Sequence, residues 1–283
     1  MKKSDFQDAG TLLSTLNFDG TPETTFPASP SEWAAKAAAL AKQEHNDHCE
    51  IHGPYSYRGS RWQECPQCAQ ERARKQWEAH LLSRMREAGV GKRFINCTFG
   101  NWTVDESNTS QTGARDQLRD YVDNWKSNYE AGRGLIFSGS MGTGKTHLGC
   151  ALVRFALSQK VSARILNFSD LMDAFKNSYR RDAEETTQDV KERFSEIGLL
   201  VIDEVGLGFG TEAETRLLTQ IIDARYRECL PTVLISNLDS QALSDAIGAR
   251  ALSRFADATF VRFDWPDHRR TLAKQQKSNG EQS

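Results

Sequence analysis

From about residue 114 onward, short apolar runs alternate with longer stretches in which apolar side chains return every third or fourth position. The first pattern predicts buried strands and the second amphipathic helices. Strands are expected at Leu135-Ile136-Phe137, from Ala163 to Phe168, at Leu199-Leu200-Val201-Ile202, from Thr232 to Ser236 and from Thr259 to Phe263. Between them, helices are expected from Lys145 to about Ser158 with Leu148, Leu152 and Phe155 inward, and from a Ser169 cap to about Tyr179. Further helices follow from about Asp189 to Ile197, from Glu212 to Arg227 and from Gln241 to Phe255. Regular alternation of this kind implies an α/β fold, a parallel sheet with helices on both faces.

The earlier part of the chain reads differently. Residues 18 to 31 are rich in Thr, Pro, Ser and Asp and carry little periodic apolar content, so they read as a mobile linker. Ser31 can cap a helix running to Leu40, and a second helix from Ala69 to Glu87 sets Trp77, Leu81 and Met85 at intervals of four on one face. That face either packs on the rest of the chain or is offered to a partner. Between the two helices lies a cluster of cysteine and histidine.

Composition narrows the class. The 283 residues are 38% hydrophobic and 26% charged, a soluble globular balance with ample material for a core. No apolar run is long enough to span a bilayer, so no membrane association is expected. After Met1, Lys2 and Lys3, the polar residues Ser4, Asp5, Gln7 and Asp8 stand where a signal peptide needs an apolar stretch. A cytoplasmic chain is therefore expected, its six cysteines thiols or metal ligands rather than disulfides. A net charge of -2 argues against tight, non-specific duplex binding and leaves a local basic groove open.

The strongest chemical signal is Gly139-Ser140-Met141-Gly142-Thr143-Gly144-Lys145-Thr146, which fits the P-loop pattern between an apolar strand and an amphipathic helix. Glycines let backbone N–H groups converge on phosphate oxygens, and the helix adds its positive end. Lys145 is expected on the β- and γ-phosphates of ATP and the Thr146 hydroxyl on Mg2+. About sixty residues later, Leu199-Leu200-Val201-Ile202-Asp203-Glu204 has the form of a Walker B strand. Asp203 would hold magnesium through water and Glu204 would polarise the attacking water, the alternative being a solvated acidic pair. Asn237, after Val233-Leu234-Ile235-Ser236, can orient the same water or simply form a turn.

Cys49-x-x-His52 and Cys65-x-x-Cys68 form two chelating pairs twelve residues apart. Three thiolates and one imidazole suit tetrahedral Zn2+, and a complete set of four makes a structural site. His48 could replace His52, with His45 a weaker candidate; Cys97, Cys150 and Cys229 read as packed thiols.

From residue 89 to 270 the chain resembles the family of the bacterial helicase loader DnaC and the related IstB-like ATPases. Ala88-Gly89-Val90, Arg93-Phe94 and Cys97-Thr98-Phe99 resemble the segment that precedes the ATPase in that family. Leu135 to Leu148, Leu200 to Gly206 and Thr232 to Leu238 are similar to its Walker A, Walker B and sensor-1 segments. Ile247-Gly248-Ala249-Arg250-Ala251-Leu252-Ser253-Arg254-Phe255 resembles its late arginine motif. The resemblance implies an AAA+ P-loop ATPase core in which Arg254 reaches the ATP of a neighbouring copy and Arg250 supports it, or the reverse. It also implies self-association, a replicative DNA helicase as partner and single-stranded DNA, with Lys176, Tyr179, Arg180 and Arg181 as local contacts. Acidic Asp182, Glu184 and Glu185 follow at once, so a solvated helix end is the competing reading.

The expected organisation is a flexible segment 1–30, a helical zinc-binding and partner-docking module 31–88, an AAA+ ATPase domain 89–270 and a flexible tail 271–283. Helicase loading during replication initiation is the leading functional expectation. The alternatives are an IstB-type helper of a transposase and, more remotely, a P-loop kinase.

Overall fold

The computed structural model describes residues 44–58, 64–206 and 211–267. The expected linker at 18–31, the helix from Ser31 and the tail 271–283 lie outside them. The chain divides into two compact units, 1–80 and 81–283, described in turn. Among the described residues no helix is long and apolar enough to cross a membrane.

In the first unit, β1 (Glu44–Cys49) pairs antiparallel with β2 (Gly53–Arg58), so that Cys49 faces Gly53 at the turn. This hairpin has no apolar alternation to announce it. Its cross-strand contacts are polar and aromatic: His45 stacks on Tyr57 at 5.2 Å, and the Tyr55 hydroxyl donates to Asp47 at 3.3 Å. Helix α1 (Pro66–Glu87) opens with Pro66, whose missing N–H costs nothing in a first turn, and so begins before the expected Ala69. The stripe on α1 divides. Leu81 and Met85 are buried in the second unit's core, whereas Trp77 is 54% exposed.

The second unit takes in the end of α1 and continues with α2 (Thr109–Asp123), capped by Asn108 accepting from the Ser110 and Gln111 N–H groups, and α3 (Trp125–Glu130). Its sheet comprises β3 (Leu135–Gly139), β4 (Ala163–Asn167), β5 (Leu199–Asp203), β6 (Thr232–Ser236) and β7 (Thr259–Phe263). The strand order is β4-β5-β6-β3-β7 and every pairing is parallel. The connecting helices are α4 (Lys145–Ser158), α5 (Phe168–Ser178), α6 (Thr187–Ser195), α7 (Glu212–Arg227), α8 (Ser240–Ile247) and α9 (Ala249–Ser253). Successive strand residues point to opposite faces, so the core is double. Leu135, Phe137, Val201 and Ile235 join Leu148 and Leu152 of α4 on one face; Ile136, Ile202 and Leu234 join Phe175, Phe194 and Ile221 on the other.

Three expected boundaries move for identifiable reasons. Helix α5 starts at Phe168, not after a Ser169 cap, because Phe168 is 3% exposed and the core draws the first turn in. Helix α6 starts at Thr187, where Thr186 and Asp189 exchange bonds in a capping box. The single helix expected from Gln241 to Phe255 is broken at Gly248, whose φ of +85° is open to glycine and lets Ile247 and Ala251 both face the core.

Arg225 ties α7 to the end of α6 and the start of β6. It is fully buried, its Nε donating to Thr232 Oγ1 at 2.9 Å and its Nη atoms to the carbonyls of Phe194 at 3.0 Å, Ile197 at 2.6 Å and Pro231 at 2.7 Å. Burial pulls the guanidinium down to about 9, so it remains cationic at neutral pH, held by the carbonyls at the end of α6. Arg225→Met keeps the bulk but leaves those carbonyls unpaired, each at a cost of roughly 1–3 kcal/mol. Chemical denaturation should show a loss of about 3 kcal/mol or more; a change within experimental error would mean that the clamp is not needed.

Candidate functional site

Because all five strands run parallel, their C-terminal ends share one edge of the sheet. β3 leads there into Gly139–Thr146, which turns through positive φ at Gly139 (+140°), Gly142 (+75°) and Gly144 (+101°) before α4 begins. A Cβ at Gly139 would lie 2.0 Å from the Phe263 carbonyl oxygen, so only glycine lets the loop leave the sheet beside β7. Ser140 N–H donates to that carbonyl at 3.0 Å, and the Thr143 hydroxyl closes the loop onto Ser140 O at 2.7 Å.

Lys145 is 6% exposed, and its ammonium donates to the carbonyls of Gly139 at 2.7 Å and Ser140 at 2.6 Å, within its own loop. Burial pushes it down to about 8, opposed by the Asp203 carboxylate. Thr146 donates its hydroxyl to Asp203 at 2.7 Å, and Asp203 is itself buried at the end of β5, which raises its pKa. A hydroxyl and a carboxylate in contact beneath a phosphate-sized loop form a donor set that can hold magnesium. A cavity of about 380 Å³ opens beside them, lined also by Arg164, Asn167, Asp170 and Arg193.

Glu204 follows with a φ of +59°, a left-handed conformation that costs a side-chain-bearing residue on the order of 1 kcal/mol. The exposed carboxylate thereby leaves the line of β5. Asn237 follows β6, which is paired on one side with β3, Ser138 level with Ser236, and on the other with β5. The half-buried amide thus sits between the P-loop strand and the Asp203-Glu204 strand. Lys145, Thr146, Asp203, Glu204 and Asn237 all end on this one edge.

The two late arginines do not. Arg254 borders a small cavity with Gly134, Thr232 and Phe255, at the opposite edge where the strands start. A five-residue strand spans roughly 16 Å. Both arginines instead reach Asp223 of α7: Arg254 Nε at 2.7 Å from Oδ1 and Arg250 Nη2 at 2.7 Å from Oδ2.

Two tryptophans escaped the sequence reading. Trp265, just past β7, donates its indole N–H to the Thr143 carbonyl at 3.1 Å, and Trp102 lies 5.9 Å from it, against Gly144. The available signal was the position of Trp265 directly after a strand that neighbours β3. Of the basic candidates in the insert, Lys176 pairs with Glu214 at 3.5 Å and Arg180 with Asp182 at 3.7 Å. Tyr179 is exposed beyond the end of α5, as is Arg181. Cys97 and Cys150 are buried, but Cys229 is exposed and so is not the packed thiol expected; it follows α7 with φ +51° in the turn before β6.

In the first unit the ligand atoms of Cys49, His52, Cys65 and Cys68 lie within 4.8 Å of one another. His52 Nδ1 is 3.7 Å from the sulfur of Cys49, 3.7 Å from that of Cys65 and 3.4 Å from that of Cys68, and Cys49 is 3.5 Å from Cys68. Ligands at about 2.0–2.3 Å around a tetrahedral zinc stand roughly 3.3–3.8 Å apart, so the set fits that ion. Backbone N–H groups of His52 and Ile51 hold the Cys49 thiol down to about 6, and Glu71 meets the other nitrogen of His52 at 3.2 Å. His48 is exposed and stands outside this group.

The IstB-like ATP binding protein family model matches residues 120–262, half of the chain. The chain belongs to this family. The replicative helicase loader DnaC of Escherichia coli (strain K12) is 30% identical over 184 residues, 64% of this chain and 73% of that protein. The loader of the same name from Buchnera aphidicola subsp. Baizongia pistaciae is 27% identical over 187 residues, 65% and 74% of the two chains. A crystal structure of the DnaC helicase loader superposes with a TM-score of 0.53 at 26% identity, over 61% of this chain and 99% of that one. The second unit thus has the AAA+ P-loop ATPase fold, with ATP binding as the family's shared property. The Cys/His hairpin lies outside the matched IstB-like residues.

Two outcomes follow from this geometry. Because Lys145 is an ammonium only below about pH 8, affinity for ATP should be level to about pH 7 and then weaken as pH rises through 8, by up to about tenfold per unit. Titration with a fluorescent ATP analogue checks this, and unchanged affinity from pH 7 to 9.5 would contradict it. Protein purified without chelator should carry one zinc per chain, lost in Cys65→Ser together with local folding worth on the order of 10 kcal/mol. Elemental analysis finding no zinc would remove the site.

Proposed function

We propose that the chain is an ATP-dependent helicase loader, cytoplasmic, that binds a replicative DNA helicase and delivers it to single-stranded DNA during replication initiation. The observation that carries this reading is the likeness to proteins named replicative helicase loaders over 184 to 187 residues, at 27–30% identity. In this reading Gly139 to Thr146 cradle the triphosphate of ATP, with Lys145 on the β- and γ-phosphates. Thr146 and Asp203 hold Mg2+, and Glu204 and Asn237 align the attacking water. Arg254 serves the ATP of a neighbouring copy, because it lies at the sheet edge opposite its own P-loop. Residues 31–88, with Zn2+ on Cys49, His52, Cys65 and Cys68, form the partner-docking module, supported by the exposure of Ile51 at the hairpin turn and of Trp77 on α1. Residues 89–270 form the ATPase domain.

A second reading, a helper of a transposase acting on duplex DNA, is favoured by the name of the matching family model alone. The kinase reading is weakened by the site itself, since an acid and an amide flanking the phosphate loop suit water activation rather than an acceptor substrate.

Capture assays separate the two. Wild-type chain should retain the replicative helicase of its host, Cys65→Ser should lose it while still binding ATP, and Glu204→Gln should bind ATP and helicase yet release little phosphate. Capture of a transposase and duplex DNA with no helicase would overturn the loader reading in favour of the second.

A further inference from the structure

Asp223 lies on α7, three residues before Tyr226 and so on the same side of the helix. Its two oxygens serve two arginines. Oδ1 accepts from Arg254 Nε at 2.7 Å, while Oδ2 accepts from Arg250 Nη2 at 2.7 Å and Nε at 3.1 Å. Arg254 is gripped a second time, its guanidinium carbon 4.9 Å from the centre of the Tyr226 ring. Among the described residues no hydrogen bond takes its Nη atoms. Those are the donors with which a guanidinium forks onto a phosphoryl group. Arg250 differs. It spends Nε and Nη2 on a single carboxylate oxygen, and its side chain is 74% exposed against 35% for Arg254.

We propose that Asp223 is a positioning residue that aims Arg254 at the nucleotide of a neighbouring copy, with Arg250 as the cation that keeps the cluster positive. This rests on the reading of Arg254 as an arginine acting between copies. The reason for two arginines on one carboxylate is electrostatic. Asp223 and Arg254 alone make a neutral pair, which fixes geometry but offers little field to a phosphate; Arg250 restores a net charge of about +1. A staple joining α7 to α9 would need only one arginine, and it would not leave the forked end of the other untied.

The test uses the full chain at concentrations where wild-type copies associate. Asp223→Asn should bind a fluorescent ATP analogue within about twofold of wild type, because its own P-loop lies at the other sheet edge. Its kcat should fall by roughly 10- to 100-fold, the usual effect of misaiming a catalytic group by about an ångström. Asp223→Glu should recover part of that loss. Arg250→Ala should lower kcat with KM little changed, although Arg250 need never touch the phosphate. Mixing Asp223→Asn with Lys145→Ala should restore turnover, since the second chain supplies an intact Asp223–Arg254 unit to the first chain's P-loop. If Arg254→Ala loses turnover and Asp223→Asn does not, the positioning role is wrong and the arginine stands. If Arg254→Ala keeps wild-type kcat, the reading beneath it fails. A loss in Asp223→Asn that neither glutamate nor mixing repairs, with a lowered melting temperature, makes Asp223 a fold residue only and overturns the proposal.

Discussion

The placement of β6 between β3 and β5 governs the second unit. With parallel strands, it forces the ends of three strands side by side, so that the phosphate loop, the Asn237 amide and the Asp203-Glu204 acids converge although nearly a hundred residues separate the first from the second. The same placement sends every strand start to the far edge. Whatever is built there, including Asp223 and the two arginines, is separated from its own phosphate loop by the length of the sheet. Strand order therefore determines which groups of one chain meet at its phosphate loop and which do not.

Buried charge is the other recurring feature. Lys145 and Asp203 are both drawn toward their neutral forms by desolvation; each bonds at short range to uncharged groups, carbonyls for the lysine and a hydroxyl and N–H for the acid, and each is steadied by the charge of the other. Arg225 is likewise a buried cation on uncharged oxygens, with four short bonds to carbonyl and hydroxyl groups of its own chain.

Much of the sheet was legible because buried strands such as Leu199-Leu200-Val201-Ile202 are continuous apolar runs, and the P-loop is legible because its glycines and lysine are fixed by phosphate geometry. The Cys/His pairs announced their cluster through spacing. What the sequence hid has physical causes. The β1–β2 hairpin is stabilised by polar and aromatic cross-strand contacts, which leave no apolar period. Helix α2 places only Ala114, Leu118 and Tyr121 inward, too sparse a stripe to stand out. The break at Gly248 depends on packing Ile247 and Ala251 together, and the indole of Trp265 on Thr143 depends on β7 lying beside β3; neither is a local property. Asp223 was missed because a single acid in a helix gains meaning only from the arginines that the fold brings to it.

We propose that one copy holds only part of an ATPase site and that a neighbour completes it. Turnover per chain, measured across the range of protein concentration in which sedimentation shows single chains passing into assemblies, tests this most directly. Turnover should be close to nil for single chains and rise in step with the assembled fraction. Full turnover per chain at dilutions where only single chains sediment would contradict the account.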